Sequence, residues 1–354
     1  MILEGKCILV TGGTGSMGKT FVRRALSGEL GMPRKVIVFS RDEAKQHDMR
    51  LAFQHKARTT DEVIYRNFMQ VLEFRIGDVR DYGAVCSAVK RAHIVINAAA
   101  LKQVPSCEYF PGEAVLTNCI GAHNIVRAIE ENDYPVATVV SISTDKACKP
   151  VNVMGMTKSL QERIFVAANI LNPKTRFIGV RYGNVLASRG SVIPLFHEQI
   201  GFGGPLTITS PHMTRFLLSL NQAVDTVFAA LRQARPGEIY VPNVPSATVM
   251  NLAKALIGKR KIAIKITGIR PGEKLHEIMV TEEEVNHCVR RGNYYVIKSM
   301  LPELDTGKRE ANALKKEFGS ADNVIDYGAT VKLLTKHRLR VEDKPGLDEG
   351  ELLR

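Results

Sequence analysis

A chain of 354 residues with 45% hydrophobic residues is long enough for one large α/β domain with an appended lobe, or for two domains of ordinary size. Its formal charge of +13 is spread along the chain and no tryptophan is present, whereas DNA- and RNA-binding proteins usually concentrate their charge in a stripe with aromatic residues. The apolar runs fall short of the roughly 18 residues that span a bilayer, no signal peptide precedes the first strand, and the six cysteines lack metal-ligand spacing. We therefore predict a cytoplasmic protein with reduced thiols, no metal, no nucleic-acid binding and no membrane insertion.

The first half of the chain alternates strand-like and helix-like segments. The strand-like runs are apolar and rich in β-branched residues, and in chain order they read CILVTG, KVIVFS, LEFRIGDV, HIVINAAA and ATVVSIS. Near-continuous hydrophobic strands of this kind belong to a parallel sheet that helices cover on both faces. The sequence therefore predicts an α/β fold with a doubly wound parallel sheet.

The segment after the first strand, VTGGTGSMGKT, satisfies two different motifs. Read from Gly13, it is G-x-x-x-x-G-K-T, the phosphate loop of an ATPase or GTPase; read from Gly13, Gly15 and Gly18, it is the dinucleotide fingerprint G-x-G-x-x-G. Both motifs place phosphate groups at a helix N-terminus, so both need the strand KCILV before the glycines and the helix FVRRAL after them. The phosphate-loop alternative also needs an aspartate for Mg²⁺ after a second strand, and FRIGDV offers Asp78.

The end of the second strand favours the dinucleotide alternative. It lies about 20 residues after the glycines, in VFSRDEAK, where a dinucleotide fold makes its ribose contact. An NAD enzyme would place Asp or Glu directly at that strand end, whereas this chain has Ser40 and Arg41, with Lys45 one helical turn beyond. Because two cations suit a 2′-phosphate, these residues predict NADP as the cofactor. The small residues at the end of the fourth strand, in NAAA, would let the backbone approach a flat cofactor.

These features, with Lys158 following the fifth strand end SISTDK, resemble the extended branch of the short-chain dehydrogenase/reductase superfamily. Its pattern T-G-x-x-G-x-x-G is met by Thr11, Gly12, Gly15 and Gly18, so the phosphate-loop match is accidental. Within that branch the chain is similar to the UDP-N-acetylglucosamine 4,6-dehydratases of bacterial surface-sugar pathways, in their short soluble form. Five blocks carry this resemblance in order over residues 1 to about 330: NAAALKQVPSCEYFPGEAVLTN, STDKACKPVNVMGMTK, RYGNVLASRGSVIPLF, TITSPHMTRF and GIRPGEKLHE.

The resemblance implies the domain organisation, the ligands and the residues that hold them. It implies a Rossmann-type NADP-binding domain over 1–184 with a return segment over 212–246, a smaller C-terminal substrate-binding lobe over 185–211 and 247–330, and a charged tail over 331–354. The ligands would be NADP and UDP-N-acetylglucosamine, and the chain would form a homo-oligomer. The cofactor-binding residues would be Gly12, Thr14, Gly15, Ser16, Met17, Gly18, Ser40, Arg41, Lys45, Asp78, Val79, Ala98, Ala99, Ala100, Lys102, Asn118 and Lys158. The substrate-binding residues would be Lys102, Asn184, Ser191, Val192, Thr207, Thr209, Met213, Arg215, Arg270 and Glu273.

The implied reaction needs an acid and a base beside the sugar. Oxidation of C4 to a ketone makes the proton on C5 acidic, so that a base can remove it while an acid protonates the departing C6 oxygen. Asp145 and Lys146 in STDK match the family positions for the acid and the base. A lysine base must be neutral, and we expect burial and the cationic nicotinamide to favour that form of Lys146.

One position departs from the superfamily pattern Tyr-x-x-x-Lys. Met154 stands where the tyrosine is usual, and methionine cannot deprotonate an alcohol. Some of these dehydratases are similar in carrying Met there, which leaves the base for the C4 hydroxyl open among Thr144, Asp145, Lys158 and a bound water. Lys158, four residues on along the same helix face, is expected to reach the nicotinamide ribose.

Two other functions remain open from the sequence. A UDP-sugar 4-epimerase oxidises and reduces C4 without elimination and has little need for Asp145 and Lys146. A non-catalytic NADP-binding protein would explain the missing tyrosine at Met154 but not the retained acid and base. Inversion at C5 is favoured only by resemblance to the short Met-containing forms. No chemical role is assigned to residues 46–70, and His197, His212 and His276 are expected to be structural.

Overall fold

The computed structural model of the chain describes residues 1–56, 68, 70–186, 191–305, 307 and 310–343. A nine-stranded sheet forms its centre, in the order β13-β14-β9-β6-β5-β4-β1-β2-β3. The strands of this sheet are β1 (Cys7–Thr11), β2 (Lys35–Ser40), β3 (Leu72–Ile76), β4 (Ile94–Asn97), β5 (Thr138–Thr144), β6 (Arg176–Tyr182), β9 (Ile239–Pro242), β13 (Cys288–Arg291) and β14 (Tyr294–Ile297). The seven strands from β3 to β9 pair in parallel, and β14 and β13 add an antiparallel hairpin at one edge. This is the predicted doubly wound, Rossmann-type arrangement.

Helices connect the strands and cover the sheet. They are α1 (Ser16–Leu26), α2 (Glu43–Lys56), α3 (Tyr82–Val89), α4 (Val104–Tyr109), α5 (Pro111–Ala114), α6 (Gly121–Glu130), α7 (Val153–Leu171), α8 (Val192–Gly201), α9 (Leu220–Gln233), α10 (Val249–Ile257) and α11 (Tyr327–Lys336), with a π-helical stretch over Val115–Ile120. None of the helices in the described part of the chain is long and apolar enough to cross a membrane.

Burial of both sheet faces explains the continuous apolar strands. In β1, Ile8 and Val10 pack into the core on one face with Phe21 of α1, whereas Leu9 packs into the core on the other face with Val95 and other side chains. Successive side chains of a strand point to opposite faces, so a strand covered on both sides has no polar alternation. The order of strands reverses between β1 and β4, and the crevice at their carboxyl ends is where such sheets bind ligands.

A smaller lobe lies beyond the carboxyl ends of the strands. It has its own core, in which Phe196 of α8 and Leu256 of α10 are fully buried, and three two-stranded sheets. Their strands are β7 (Leu206–Ile208) with β11 (Ile264–Ile266), β8 (Thr214–Phe216) with β10 (Ser246–Thr248), and β12 (Ile278–Val280) with β15 (Phe318–Gly319).

Two predicted boundaries need correction. The hairpin β13–β14 falls in the segment assigned to the lobe but belongs to the central sheet, because β14 pairs with β9 and buries Val296 in the sheet core. The predicted start of the tail at residue 331 falls inside α11, whose N-terminus is capped by Asp326 and whose Leu334 is buried in the lobe core. Residues 344–354 of that tail lie outside the described residues, as do 57–67 and 69 of the segment without an assigned role.

Candidate active site

The glycine turn after β1 brings three segments of backbone close together. Gly12 has φ +63°, and a Cβ atom there would lie 2.7 Å from the backbone nitrogen of Ala99 at the end of β4. A Cβ at Gly18 would lie 2.6 Å from Cα of Gly13. Larger residues would therefore push the turn away from β4 or from α1. Gly15 is the N-cap of α1, whose free backbone N–H groups suit a phosphate.

A cavity of about 990 Å³ runs from this turn to the carboxyl ends of β4, β5 and β6. All the predicted cofactor residues line it except Asn118. Those that line it are Gly12, Thr14, Gly15, Ser16, Met17, Gly18, Ser40, Arg41, Lys45, Asp78, Val79, Ala98, Ala99, Ala100, Lys102 and Lys158. Asn118 is buried behind the wall, where its side chain bonds both backbone groups of Leu101, at 2.8 and 3.0 Å. Its effect on a ligand would therefore be indirect.

The end of β2 carries an additional charged side chain, Asp42, that was not among the predicted site residues. Ser40 Oγ accepts hydrogen bonds from Thr14 Oγ1 at 3.1 Å and from the backbone of Asp42 at 3.2 Å. Lys45 forms an ion pair with the Asp42 carboxylate, while the Arg41 side chain is 55% exposed and lies 3.7 Å from Asp78. The strand end thus presents Arg41 to the cavity, with Lys45 partly neutralised by its neighbour.

The surroundings of Asp78 argue against the phosphate-loop alternative. Its carboxylate accepts a hydrogen bond from the Arg80 guanidinium at 2.7 Å. Burial opposes ionisation of Asp78, but the hydrogen bonds from Arg80 outweigh it and lower the pKa of the carboxyl. Two cations therefore already surround the side chain that would have held Mg²⁺. Among the residues that the structure describes, no group of three or more His, Cys, Asp or Glu is placed to hold a metal.

The predicted acid and base meet where β5 ends in a 3₁₀ turn over Asp145–Ala147. Thr144 caps this turn: its hydroxyl accepts from the backbone of Lys146 and donates to Asp145 Oδ1 at 3.0 Å. Lys146 Nζ also donates to Asp145 Oδ1, at 3.0 Å. Asp145 is fully buried and, unlike Thr144 and Lys146, does not line the cavity; its second oxygen, Oδ2, has no hydrogen-bond partner among the described residues. Lys146 lines the cavity with 20% of its side chain exposed, so its ammonium group can reach a ligand.

Glu277 is a third member of this cluster, and the sequence analysis did not select it. The residue precedes β12 and is 2% exposed, and its Oε1 lies 3.2 Å from Lys146 Nζ and 3.8 Å from Arg215 Nε. The only sequence signal for it was its place at the end of the block GIRPGEKLHE. More than a hundred residues separate it from Lys146, so only the fold brings them together.

The cluster changes the expected charge of Lys146. Burial alone lowers the pKa of Lys146, as predicted, but Asp145 and Glu277 outweigh burial and raise it. The predicted effect of burial is therefore present, but the neutral form that it was expected to favour is not, because two carboxylates stabilise the ammonium group. Burial raises the pKa of Asp145, and Lys146 opposes that effect.

Met154 and Lys158 lie where α7 begins, next to the same cavity. Met154 lines the cavity and packs against Cys107 and Ala114. Lys158 Nζ donates to the carbonyl oxygen of Ile142 at 2.6 Å and to Gln161 Oε1 at 2.8 Å. Burial lowers the pKa of Lys158 to about 8.

Tyr182 is a further hydroxyl that sequence reasoning missed. It ends β6 and lines the cavity, and burial raises the pKa of its phenol. Its only sequence signal was its place in the block RYGNVLASRGSVIPLF.

The predicted substrate residues divide into two groups. Lys102, Asn184 and Ser191 line the cavity, and within the described part of the chain Asn184 Oδ1 and Ser191 Oγ are buried polar atoms without a hydrogen-bond partner. The others do not line it, and they are Val192, Thr207, Thr209, Met213, Arg215, Arg270 and Glu273. Several have partners within the lobe, such as Thr209 Oγ1 on Met213 Sδ at 3.1 Å. Residues 187–190, between Asn184 and Ser191, lie outside the described residues.

The sheet order, the glycine turn and the cavity together define an extended short-chain dehydrogenase/reductase. A family model described as "Polysaccharide biosynthesis protein" matches residues 8–299, and the chain belongs to this family. A Rickettsia bellii protein named UDP-glucose 4-epimerase is 44% identical over 316 residues, 88% of each chain. A Campylobacter jejuni protein named UDP-N-acetylglucosamine 4,6-dehydratase (inverting) is 42% identical over 307 residues, 86% of each chain. Both relatives are named for reactions on UDP-sugars.

Solved structures agree with this assignment. The X-ray structure of Pen from Bacillus thuringiensis superposes with a TM-score of 0.85 at 33% identity, covering 96% of this chain and all of that one. DesIV from Streptomyces venezuelae, a dTDP-glucose 4,6-dehydratase solved with NAD and TYD bound, has a TM-score of 0.66 at 19% identity, covering 94% of this chain and 98% of its own. At that identity the second likeness concerns the fold alone.

Proposed function

We propose that this protein is an NADP-dependent UDP-N-acetylglucosamine 4,6-dehydratase. The observation that carries the proposal is the pair formed by Asp145 and Lys146, 3.0 Å apart at the cavity end of β5. Elimination of water across C5 and C6 needs a base for the C5 proton and an acid for the C6 oxygen. The pair supplies both groups at one place, and the family membership and the Campylobacter relative support the reaction.

The residues around the glycine turn fit a nicotinamide dinucleotide. A Cβ at Gly12 would collide with the end of β4, and the N-terminus of α1 offers backbone donors for a pyrophosphate. Ala98 to Ala100 would border the flat ring system, and Ser40 and Arg41 the ribose of the adenosine half. When bound, the cofactor supplies the hydride chemistry, which oxidises C4 at the start of the reaction and reduces C6 at its end.

Asp145 and Lys146 can carry out the proton transfers without gaining or losing a proton overall. In the resting pair the shared proton lies on Lys146, whose pKa the carboxylates raise. Its transfer to Asp145 Oδ1 along the 3.0 Å hydrogen bond leaves a neutral amine and a carboxylic acid. The amine then takes the proton from C5, the Asp145 carboxyl turns into the cavity and gives its proton to the C6 oxygen, and water leaves. After elimination the pair is again an ammonium beside a carboxylate. When C6 is reduced, Lys146 returns a proton to C5, and the proton that the C4 hydroxyl lost at the start replaces it, so the cycle closes.

A 4-epimerase is the second candidate, because the Rickettsia relative carries that name. Epimerisation needs one group to exchange a proton with the C4 oxygen and no acid at C6. Both reactions begin with oxidation of C4, so Met154 does not distinguish them, whereas an epimerase would have no use for an acid and a base at Asp145 and Lys146. The pair therefore favours dehydration over epimerisation, and it also argues against a protein that only binds NADP.

Incubation with UDP-N-acetylglucosamine separates the three functions. We expect proton NMR to show a new methyl signal from C6 and loss of the H4 signal, as in a 4-keto-6-deoxy sugar. A 4-epimeric UDP-sugar would support the epimerase, and unchanged substrate with a cofactor-loaded protein would support the non-catalytic alternative.

We propose NADP as the preferred cofactor because Arg41 follows β2 directly and lines the cavity. Arg41→Asp places an anion beside the expected 2′-phosphate, so we expect the ratio of the Kd for NADP to the Kd for NAD to rise by about 10–100-fold. Arg91→Asp is the matched control, because Arg91 is exposed and does not line the cavity. An unchanged ratio for Arg41→Asp would remove Arg41 from cofactor selection.

We also propose that the chain forms a homo-oligomer in the cytoplasm. Seven exposed apolar side chains lie on elements that contact one another, namely α4 and the residue after it, the π-helical stretch and α7; they are Tyr109, Phe110, Val115, Leu116, Ile120, Met156 and Leu160. Exposed apolar surface of this extent is typical of an interface. We expect Leu160→Glu to lower the molar mass measured by light scattering, and Ile266→Glu, equally exposed on β11, to leave it unchanged. A wild-type protein already at monomer mass would contradict the proposal.

A further inference from the structure

Hydrogen bonds with Ser320 hold the backbone of Glu277 next to Lys146. Its backbone N–H donates to Ser320 Oγ at 2.9 Å, and its carbonyl accepts from the backbone of Ser320 at 2.7 Å. Ser320 Oγ in turn contacts the hydroxyl of Thr214 on β8 at 2.7 Å. Neither Glu277 nor Asp145 lines the cavity, whereas Lys146, which pairs with both carboxylates, does. We therefore expect Glu277 to act on the reaction through Lys146.

Burial of the Glu277 carboxylate has a free-energy cost that packing alone does not offset. A buried carboxylate needs a partner cation, and the nearest to Glu277 is Lys146 Nζ at 3.2 Å, with Arg215 Nε at 3.8 Å. Among the described residues, its other oxygen, Oε2, has no hydrogen-bond partner. Two buried carboxylates therefore approach the Lys146 ammonium, Asp145 Oδ1 at 3.0 Å and Glu277 Oε1 at 3.2 Å. One carboxylate already balances the charge of Lys146, so the second further stabilises its protonated form.

We propose that Glu277 is a positioning residue that holds the Lys146 ammonium in place and sets the pH range in which the Asp145–Lys146 pair carries a single proton. This role rests on the proposed dehydration. The negative charge of Glu277 stabilises Lys146 in its protonated form, which is the form that exists before the reaction and again after the C5 proton has been taken. Glu277 therefore raises the affinity of Lys146 for that proton without contacting the substrate.

Other charges face the same cluster and set its balance. Asp145 comes from the turn after β5, Arg215 from β8, and Lys274 from the segment before Glu277, where it donates to the carbonyl of Cys148. His276 is turned away, with Nδ1 on Thr214 Oγ1 at 2.7 Å. Loss of the Glu277 charge would leave Arg215 and Lys274 uncompensated. Both the loss of the anion and the remaining cations lower the pH at which the pair gains or loses a proton.

The test compares Glu277→Gln, which removes the charge, with Glu277→Asp, which keeps it on a shorter side chain. Activity needs one proton on the pair, so the pH profile of dehydration has an acid limb and a basic limb. We expect both limbs of Glu277→Gln to move to lower pH by about 1–3 units, as for removal of a charge within 4–6 Å. Glu277→Asp should keep the limbs near their wild-type positions with a reduced maximum. If Glu277 were only structural, both substitutions would lower the maximal rate and leave the two limbs at their wild-type pH. That result would overturn the proposal.

A second measurement does not depend on turnover. In protein labelled with ¹³C at lysine Cε, the signal of Lys146 is identified by its absence in Lys146→Met. We expect the midpoint of the Lys146 titration to move to lower pH by about 1–3 units in Glu277→Gln, and by clearly less in Glu277→Asp. An unchanged titration in Glu277→Gln contradicts the role of Glu277 even if the dehydratase activity is present. If the wild-type protein makes no 4-keto product but Glu277→Gln still shifts the titration of Lys146 as expected, the proposed function is contradicted and the charge coupling stands.

Discussion

Lys146→Ala is expected to lose the 4-keto product and the exchange of the C5 proton with solvent. A positioned base contributes about 10²–10⁴-fold to the reaction rate. If Lys146 takes the C5 proton, its removal should lower the rate by at least that factor. Wild-type protein turning over in D₂O should place deuterium at C5 of the product, and the variant should not. Binding of NADPH, followed by its fluorescence, should be retained, because Lys146 is not one of the residues around the glycine turn. Turnover like the wild type in Lys146→Ala would remove Lys146 from the mechanism and leave Lys158 as the base.

Asp145→Asn provides the matched comparison at the neighbouring position. A neutral amide cannot protonate the departing C6 oxygen, so elimination should stall although Lys146 is still present. The D₂O experiment also addresses the stereochemistry that we propose at C5. An inverting enzyme returns the proton from the opposite face, as the name of the Campylobacter relative states for that protein. Retention of configuration in the product would contradict inversion without affecting the roles of Asp145 and Lys146.

Arg181→Met is expected to have the largest effect on stability. Arg181 is 2% exposed on β6, and its guanidinium bonds Glu162 of α7 at 2.6 Å and Glu284, after β12, at 2.8 Å. Both carboxylates are also buried, so the substitution leaves two buried anions without their cation. Removal of one partner from such a network costs about 3–5 kcal/mol.

Urea unfolding of the two variants Arg181→Met and Arg91→Met measures this effect. Arg91 pairs with Glu73 at 3.4 Å on the surface, and an exposed pair of that kind contributes about 0–1 kcal/mol. We expect a clear fall in the unfolding midpoint for Arg181→Met only. A loss below about 1 kcal/mol for Arg181→Met would mean that the network adds little to the stability of the fold.

The sequence was informative where a local pattern has one structural solution. Strands β1 to β5 were predicted because burial of both faces makes each strand apolar throughout, as Ile8, Leu9 and Val10 illustrate. The glycine turn was predicted because backbone at Gly12 must approach Ala99 closely. The adjacent pair Asp145 and Lys146 was found because both groups lie in one short segment at a strand end.

Asp42 and the capped start of α11 were local features that the sequence could have shown, whereas the other missed parts depend on distant segments meeting. The hairpin β13–β14 joins the sheet only through its pairing with β9, and no local pattern distinguishes that from a hairpin in the lobe. Glu277 and Tyr182 reach the site from other strands. The charge of Lys146 was mispredicted for the same reason. The burial that the sequence suggests lowers the pKa of Lys146, whereas the fold surrounds it with Asp145 and Glu277, which raise that pKa.

In the proposed dehydration, the hydrogen removed from C4 is returned to C6. UDP-N-acetylglucosamine with deuterium at C4 tests this transfer, and NMR and mass spectrometry locate the deuterium in the product. We expect a 4-keto sugar whose C6 methyl group carries that deuterium. Deuterium on C4 of a 4-epimeric UDP-sugar would rule out the proposed dehydration, since the hydride would then have returned to the carbon it left.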